Sequence, residues 1–287
     1  MLLMARASDE EIRRSIQERM WGPSLAAGGA NVIMQLSRLP VGHGVATSTV
    51  DSGRVDKHPI KRLRTTTAFL VIALLGSDDE RRALRDEINR SHRTVHSGEG
   101  DPVAYNAFDP ELQLWVAACL YVGVEDLYRF TEREPDLEWL HGSLYPYAAR
   151  LGTTLQLPES MWPADRDAFE AYWKEGLTRI EMDDLTRGYL QGIADLSFLV
   201  APLGVFGRPL RPLLRPIGHL VTLGFLPPEF RAELGLPWSD RQQRRFERAF
   251  GWSIAIARRL PRVLREYPFN LYLWDTRRRL RRGKRVV

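Results

Sequence analysis

The stretch DPELQLWVAACLYVGVEDLYRFT, Asp109 to Thr131, sets the strongest constraint on the fold. Asp109 can cap a helix through its side chain, and Pro110 suits the first helical turn, where its missing N–H costs nothing. The residues that follow are apolar nearly all round the helix, so no broad face is left for water. Such a helix belongs at the centre of a domain, with other helices packed against it.

The rest of the chain supplies those helices. SDEEIRRSIQERM opens with Ser8 and, three residues on, Glu11, the pattern of a capping box. NVIMQLSRL reads as a helix stopping near Pro40, and VGHGVATSTVDSG after it as irregular chain. HPIKRLRTTTAFLVIALLG predicts a long helix opened by Pro59 and closed by Gly76. SDDERRALRDEINRSHRTVH predicts another, capped by Ser77 with Glu80, with His92 on its apolar stripe and His96 near its end. EPDLEWLHGSLYPYAARLG, PADRDAFEAYWKEGLTRI, DDLTRGYLQGIADLSFLV and the stretch from Arg215 to Pro268 read as further helices. Strand alternation is scarce. The expected fold is all-α, a single multi-helix domain.

Composition narrows the function classes. Cys119 is the single cysteine, so the chain cannot build an internal disulfide framework. The opening MLLMARASDEEIRR turns acidic too early for a secretory signal, and no run of eighteen apolar residues occurs. The expected location is cytoplasmic, with peripheral contact to an anionic membrane. Leu196 to Gly207 is twelve uncharged residues broken by Pro and Gly, a buried or interfacial segment that could line an access tunnel or meet a membrane. The net charge of +5 comes from the last twelve residues, which hold seven Lys or Arg and no acid; the remainder has 34 basic against 36 acidic residues. That tail can touch anionic lipid or nucleic acid without sequence preference. No specific nucleic-acid signature is present.

Common catalytic signatures are missing. There is no dinucleotide or Walker loop and no GxSxG elbow. HRTVH has zincin spacing, but Arg93 stands where a general-base Glu is needed, and a guanidinium cannot accept that proton. The paired carboxylates of EMDD and SDDE sit at helix starts and on charged faces, and no ExxH pair supports a di-iron bundle. His92 stands out because an imidazole on an apolar stripe needs a partner. A hydrogen bond would serve, and so would haem iron.

The ordered set RLRTTTAFLVIALLG, EINRSHRTVHSG and YNAFDPELQLWVAACL resembles the catalytic domain shared by bacterial rubber oxygenases (latex-clearing proteins) and fungal mpaB-type oxygenases. The likeness extends upstream through NVIMQLSRLPVGHGV and downstream to LVTLGFLPPEFRAELGLPWSDRQQRRF. The resemblance implies an all-α haem b domain with a haem-sized cavity, acting with dioxygen on an apolar, isoprenoid or unsaturated lipid-like substrate. It implies residues 1–21 as an N-terminal helix or extension, 22–275 as the helical domain and 276–287 as a basic tail. It makes His92 the iron ligand and leaves His96 outside the motif. It makes Arg62 and Thr66 the catalytic donor pair, with Arg64 and Thr67 as the rival register in the threonine run. Lys61, Arg62 and Arg64 are candidates to neutralise haem propionates, and Trp115 is a candidate wall of the cofactor site. WVAACL places Ala117 where many relatives carry a histidine, which suggests an imidazole missing near the pocket. The alternative reading is a non-catalytic haem or lipophilic-ligand binding protein.

Overall fold

A computed structural model describes residues 7–48, 54–132 and 134–286. The helices in chain order are α1 (Asp9–Arg19), α2 (Gly28–Leu36), α3 (Leu39–Ala46), α4 (Pro59–Leu75), α5 (Asp78–His92), α6 (Pro110–Thr131), α7 (Leu137–Trp139), α8 (Tyr145–Ala148), α9 (Arg150–Thr153), α10 (Arg166–Leu177), α11 (Asp184–Ala194), α12 (Arg211–Phe225), α13 (Pro228–Glu233), α14 (Asp240–Arg259), α15 (Arg262–Arg265) and α16 (Phe269–Arg281). Among the described residues there is no sheet, only an isolated bridge between His96 and Asn106. The protein is an all-α, multi-helix domain.

Helix α6 is central, for the reason its sequence gives. Asp109 accepts hydrogen bonds from the N–H groups of Glu111 and Leu112, and Pro110 opens the first turn. Its side chains divide between two apolar clusters: Leu114, Ala117, Ala118 and Tyr121 enter one, Trp115 and Cys119 the other. Each large apolar side chain buried this way contributes roughly 1.5–3 kcal/mol. Burial also pushes the Cys119 thiol well above its ordinary range, so it behaves as a small core residue.

Helix α4 lies in the first cluster, with Val71, Ile72 and Leu74 buried. Its terminal carbonyls need outside donors. Arg150 donates to Ala73 O and Gly76 O while stacking on Tyr147, and Arg277 donates to Leu75 O and pairs with Glu80 at 2.9 Å. Two distant segments are therefore fastened to the turn between α4 and α5.

Three local expectations need correction. Pro40 starts a helix rather than ending one: α2 stops at Leu36 and Pro40 sits in the first turn of α3. The first part of VGHGVATSTVDSG is thus helical to Ala46, because Gly42 permits close packing; a Cβ there would lie 2.7 Å from Leu36 O and 2.8 Å from Thr186. Residues 49–53 of that stretch lie outside the described residues. Helix α5 stops at His92, and His96 lies beyond it, pairing with Asn106. Within residues 1–21, Ile12 and Ile16 of α1 are part of the core. At the other end α16 runs to Arg281 with Thr276 buried, and Val286 returns to α5, its N–H donating to Glu87 at 2.6 Å. Leu280 packs against the same core that α16 helps to close.

Candidate functional site

A cavity of about 260 Å³ opens between α3, α4, α5 and α6, closed on one side by residues 105–107. Val41 and Val45 of α3, Phe69 of α4, Ile88 of α5 and Val116 and Leu120 of α6 make most of its wall apolar. Three of the candidate residues reach it together: Arg62 and Thr66 from α4, and His92 from the last turn of α5. Arg62 and Thr66 are four apart, so one helix face presents both.

His92 is half-buried, and its Nδ1 is fully buried without a hydrogen-bond partner. Phe108 meets the ring edge-on with centroids 6.1 Å apart. Burial first, and then the nearby Arg62 cation, push the imidazole from 6.5 down to about 4. The ring is therefore neutral at pH 7 and has a lone pair to offer. The guanidinium of Arg62 is itself held below its usual range by burial, which the Tyr189 hydroxyl opposes. No carboxylate forms an ion pair with Arg62 among the described residues. The apolar cavity thus contains one buried imidazole nitrogen without a partner and one half-buried cation without a carboxylate.

Amides join the helix that carries His92 to α6. Gln113, buried on α6, donates to Ala107 O at 2.8 Å and to Gln156 Oε1. The Gln156 N–H donates back to Gln113 Oε1 at 3.1 Å, and its side chain donates to Asn89, three residues before His92. This chain ties α5 to α6 beside the cavity. Gln113 and Tyr105, which also line the wall, are polar wall residues that sequence reasoning missed. The available signal was a buried-helix glutamine: Gln113 is a lone amide within an apolar run, and such a group needs partners.

The other candidates lie elsewhere. Arg64 and Thr67 are not on the wall; Arg64 Nε is buried without a partner and Thr67 is buried. Lys61 is exposed. Trp115 lies behind the cavity in the second core cluster. Its indole N–H donates to Met34 O and Gln35 O, at 3.1 and 3.2 Å, and its ring stacks on Trp173 and receives Arg38. A buried indole N–H needs an acceptor, and the unsatisfied carbonyls ending α2 supply two. Ala117 also faces away, toward α9, where a Cβ on Gly152 would lie 3.4 Å from its methyl group. Val116 is the neighbour that reaches the wall. The Ala117 position therefore removes nothing from this cavity.

On the far side of α3, His43 Nε2 and Asp183 Oδ2 are 2.6 Å apart. Burial alone would raise the Asp183 carboxyl, but hydrogen bonds from the Thr186 N–H, His43 and the Thr186 hydroxyl outweigh it and hold it at about 2. This contact clamps α3, and with it one cavity wall, onto the cap of α11.

The catalytic-domain model described as ER-bound oxygenase mpaB/B'/Rubber oxygenase matches residues 18–255. The chain belongs to this family. The match covers α2 to α13 whole and most of α14, and so contains every wall of the cavity. It stops short of α15 and of α16, which packs on α4 in this mpaB/rubber-oxygenase chain. Two relatives, one from Mycobacterium bovis and one from Mycobacterium tuberculosis, are each 46% identical over 262 residues. The alignments cover 90% of this chain and 98% of each relative, and both relatives are described as uncharacterized proteins. No solved structure matches the chain.

Among the described residues no three His, Cys, Asp or Glu side chains converge as a metal site. A bare ion would lack its usual ligand set here, whereas iron carried by a porphyrin asks the protein for as little as one axial ligand. The lone neutral imidazole at an apolar wall fits that second requirement.

Proposed function

We propose that this chain is a haem b-dependent oxygenase acting with dioxygen on an apolar, unsaturated substrate of isoprenoid or lipid-like character. One observation carries the reading: the neutral His92 imidazole, with an unpartnered buried nitrogen, shares an apolar cavity with Arg62 and Thr66. Family membership supports it. Haem, when bound, supplies the oxygen chemistry, and the protein binds, orients and encloses.

The residues divide that work. His92 would hold the iron, and the Gln113–Gln156–Asn89 amides tie its helix to α6. Arg62 is a desolvated cation without a carboxylate, suited to a haem propionate or to a polar group at the reacting end of a substrate. Thr66 presents a hydroxyl on the same face of α4, as a donor or acceptor. Val41, Phe69 and Leu120 admit a hydrocarbon chain and exclude water.

The test is an absorption spectrum of the protein, oxidised and reduced, from haem-replete cells, beside His92→Ala. The reading predicts a Soret band that is lost in the variant, and oxygen consumption when an isoprenoid alkene is added. A colourless protein that refuses added haem overturns it. A histidine-dependent Soret band without turnover of any alkene would leave the chain a haem-binding protein and remove the oxygenase.

A further inference from the structure

We propose that the 3₁₀ segment before α12, the first half of α12 and the junction of α14 with α15 form a docking face for anionic phospholipid membranes. The proposal is independent of haem and rests on a different part of the surface.

The apolar side chains come first. In the 3₁₀ segment Ala201–Leu210, Val205 and Phe206 face solvent, Phe206 being 81% exposed. Two glycines shape this protrusion. Gly204 takes a φ of 57°, which favours glycine, and a Cβ on Gly207 would come within 2.2 Å of Val200 O. The residues held between them are Val205 and Phe206. On α12, Leu213 and Ile217 are exposed as well.

A second apolar set lies beside the first. The hairpin of α12 and α14 is anchored where Gly224 packs against the Phe246 ring and Phe225 packs edge-on against Phe246 and Phe250. Helix α14 packs on α12, and its second half, beyond Phe246, also carries exposed apolar side chains. There Trp252, 72% exposed, and Ile256 face solvent, followed by Val263 beyond the Pro261 turn.

The charges identify the partner. Residues 196–225 contain Arg208, Arg211 and Arg215, all exposed, and no Asp or Glu. The adjoining end of α14 and start of α15 add exposed Arg258, Arg259 and Arg262. Long basic side chains beside protruding aliphatic and aromatic groups match a lipid surface, where apolar tips enter the acyl boundary and guanidinium groups remain with phosphate. An exposed tryptophan belongs at that boundary. A second copy of the chain fits poorly. A two-fold contact sets a patch against itself, and this one would oppose Arg208, Arg211 and Arg259 to their own copies, while Arg215 and Arg262 pair with Asp195 and Glu266 within the chain. No helix among the described residues is long and apolar enough to cross a membrane, so the attachment is by insertion from one side.

Flotation of the full chain with phosphatidylcholine vesicles, with and without phosphatidylglycerol, tests the proposal. Binding is expected only with the anionic lipid and should weaken as salt rises. Phe206→Asp and the double change R208E/R211E alter exposed positions and leave the C-terminal basic residues in place; thermal melts check that both variants fold. Each should weaken partition by roughly tenfold or more, the size expected for losing one large inserted side chain or reversing two contacts. Undiminished binding by Phe206→Asp would assign adsorption to the C-terminal arginines and overturn the face. So would absence of binding to anionic vesicles, or a wild-type dimer that Phe206→Asp converts to monomer.

Discussion

Replacing His92 by Gln should change how stability depends on pH, by an amount the site itself sets. Burial and Arg62 lower the imidazole from 6.5 to about 4 in the folded chain, whereas the unfolded chain regains the ordinary value. Above 6.5 the ring is neutral in both states and contributes no pH dependence. As pH falls below 6.5 the unfolded state takes up a proton that the folded state refuses. Stability is then lost at about 1.4 kcal/mol per pH unit until the folded ring titrates near 4. Over that window the loss sums to about 3 kcal/mol. Urea unfolding of ligand-free wild type and His92→Gln from pH 7.5 down to pH 4 isolates the effect. Carboxylates titrate in both proteins and cancel in the difference. The wild type should lose stability relative to the variant as pH falls, with the gap opening by about 3 kcal/mol. A difference that does not vary with pH would refute the buried, unpartnered imidazole beside Arg62, and with it the site.

Two further substitutions probe the surroundings. Trp115→Ala should cost roughly 3–5 kcal/mol in denaturant unfolding, because it empties the stack on Trp173 and removes the indole donor from the Met34 and Gln35 carbonyls, leaving Met34 O with the Ser37 hydroxyl; if Trp115 formed the cavity wall instead, loss of bound ligand would exceed loss of stability. Arg62→Met should raise the stability of the ligand-free protein by roughly 1 kcal/mol, since it removes a desolvated cation while keeping its apolar stem, and should weaken binding of an anionic ligand; a thermal melt at matched pH reads the first effect and a binding titration the second.

What was legible in the sequence was local. Helix starts are written in short-range chemistry, and Ser8 with Glu11, Ser77 with Glu80, and Asp109 all cap as their spacing predicts. The apolar periphery of α6 foretold its central place, because such a helix has no face to give to water. His92 could be singled out for a related reason, being a polar ring on a stripe that packing would otherwise fill. Gly42 shows the limit of such reading. It lets α3 pack against Thr186 of a helix far along the chain, and no neighbouring residue predicts that contact.

The tertiary structure decided direction. In the run Thr65–Thr66–Thr67 each step turns the side chain by about 100°, and only the neighbouring helices determine that Thr66 meets the cavity while Thr67 is buried away from it. The same holds for Trp115 against Val116, where the acceptors at the end of α2 draw the indole to one side. It holds for Gly224, which lets the Phe246 ring of α14 pack against α12. Sequence alone set which segments are helical and which residues are chemically uneasy. Packing set what each of them faces, because orientation depends on contacts between segments that no local pattern encodes.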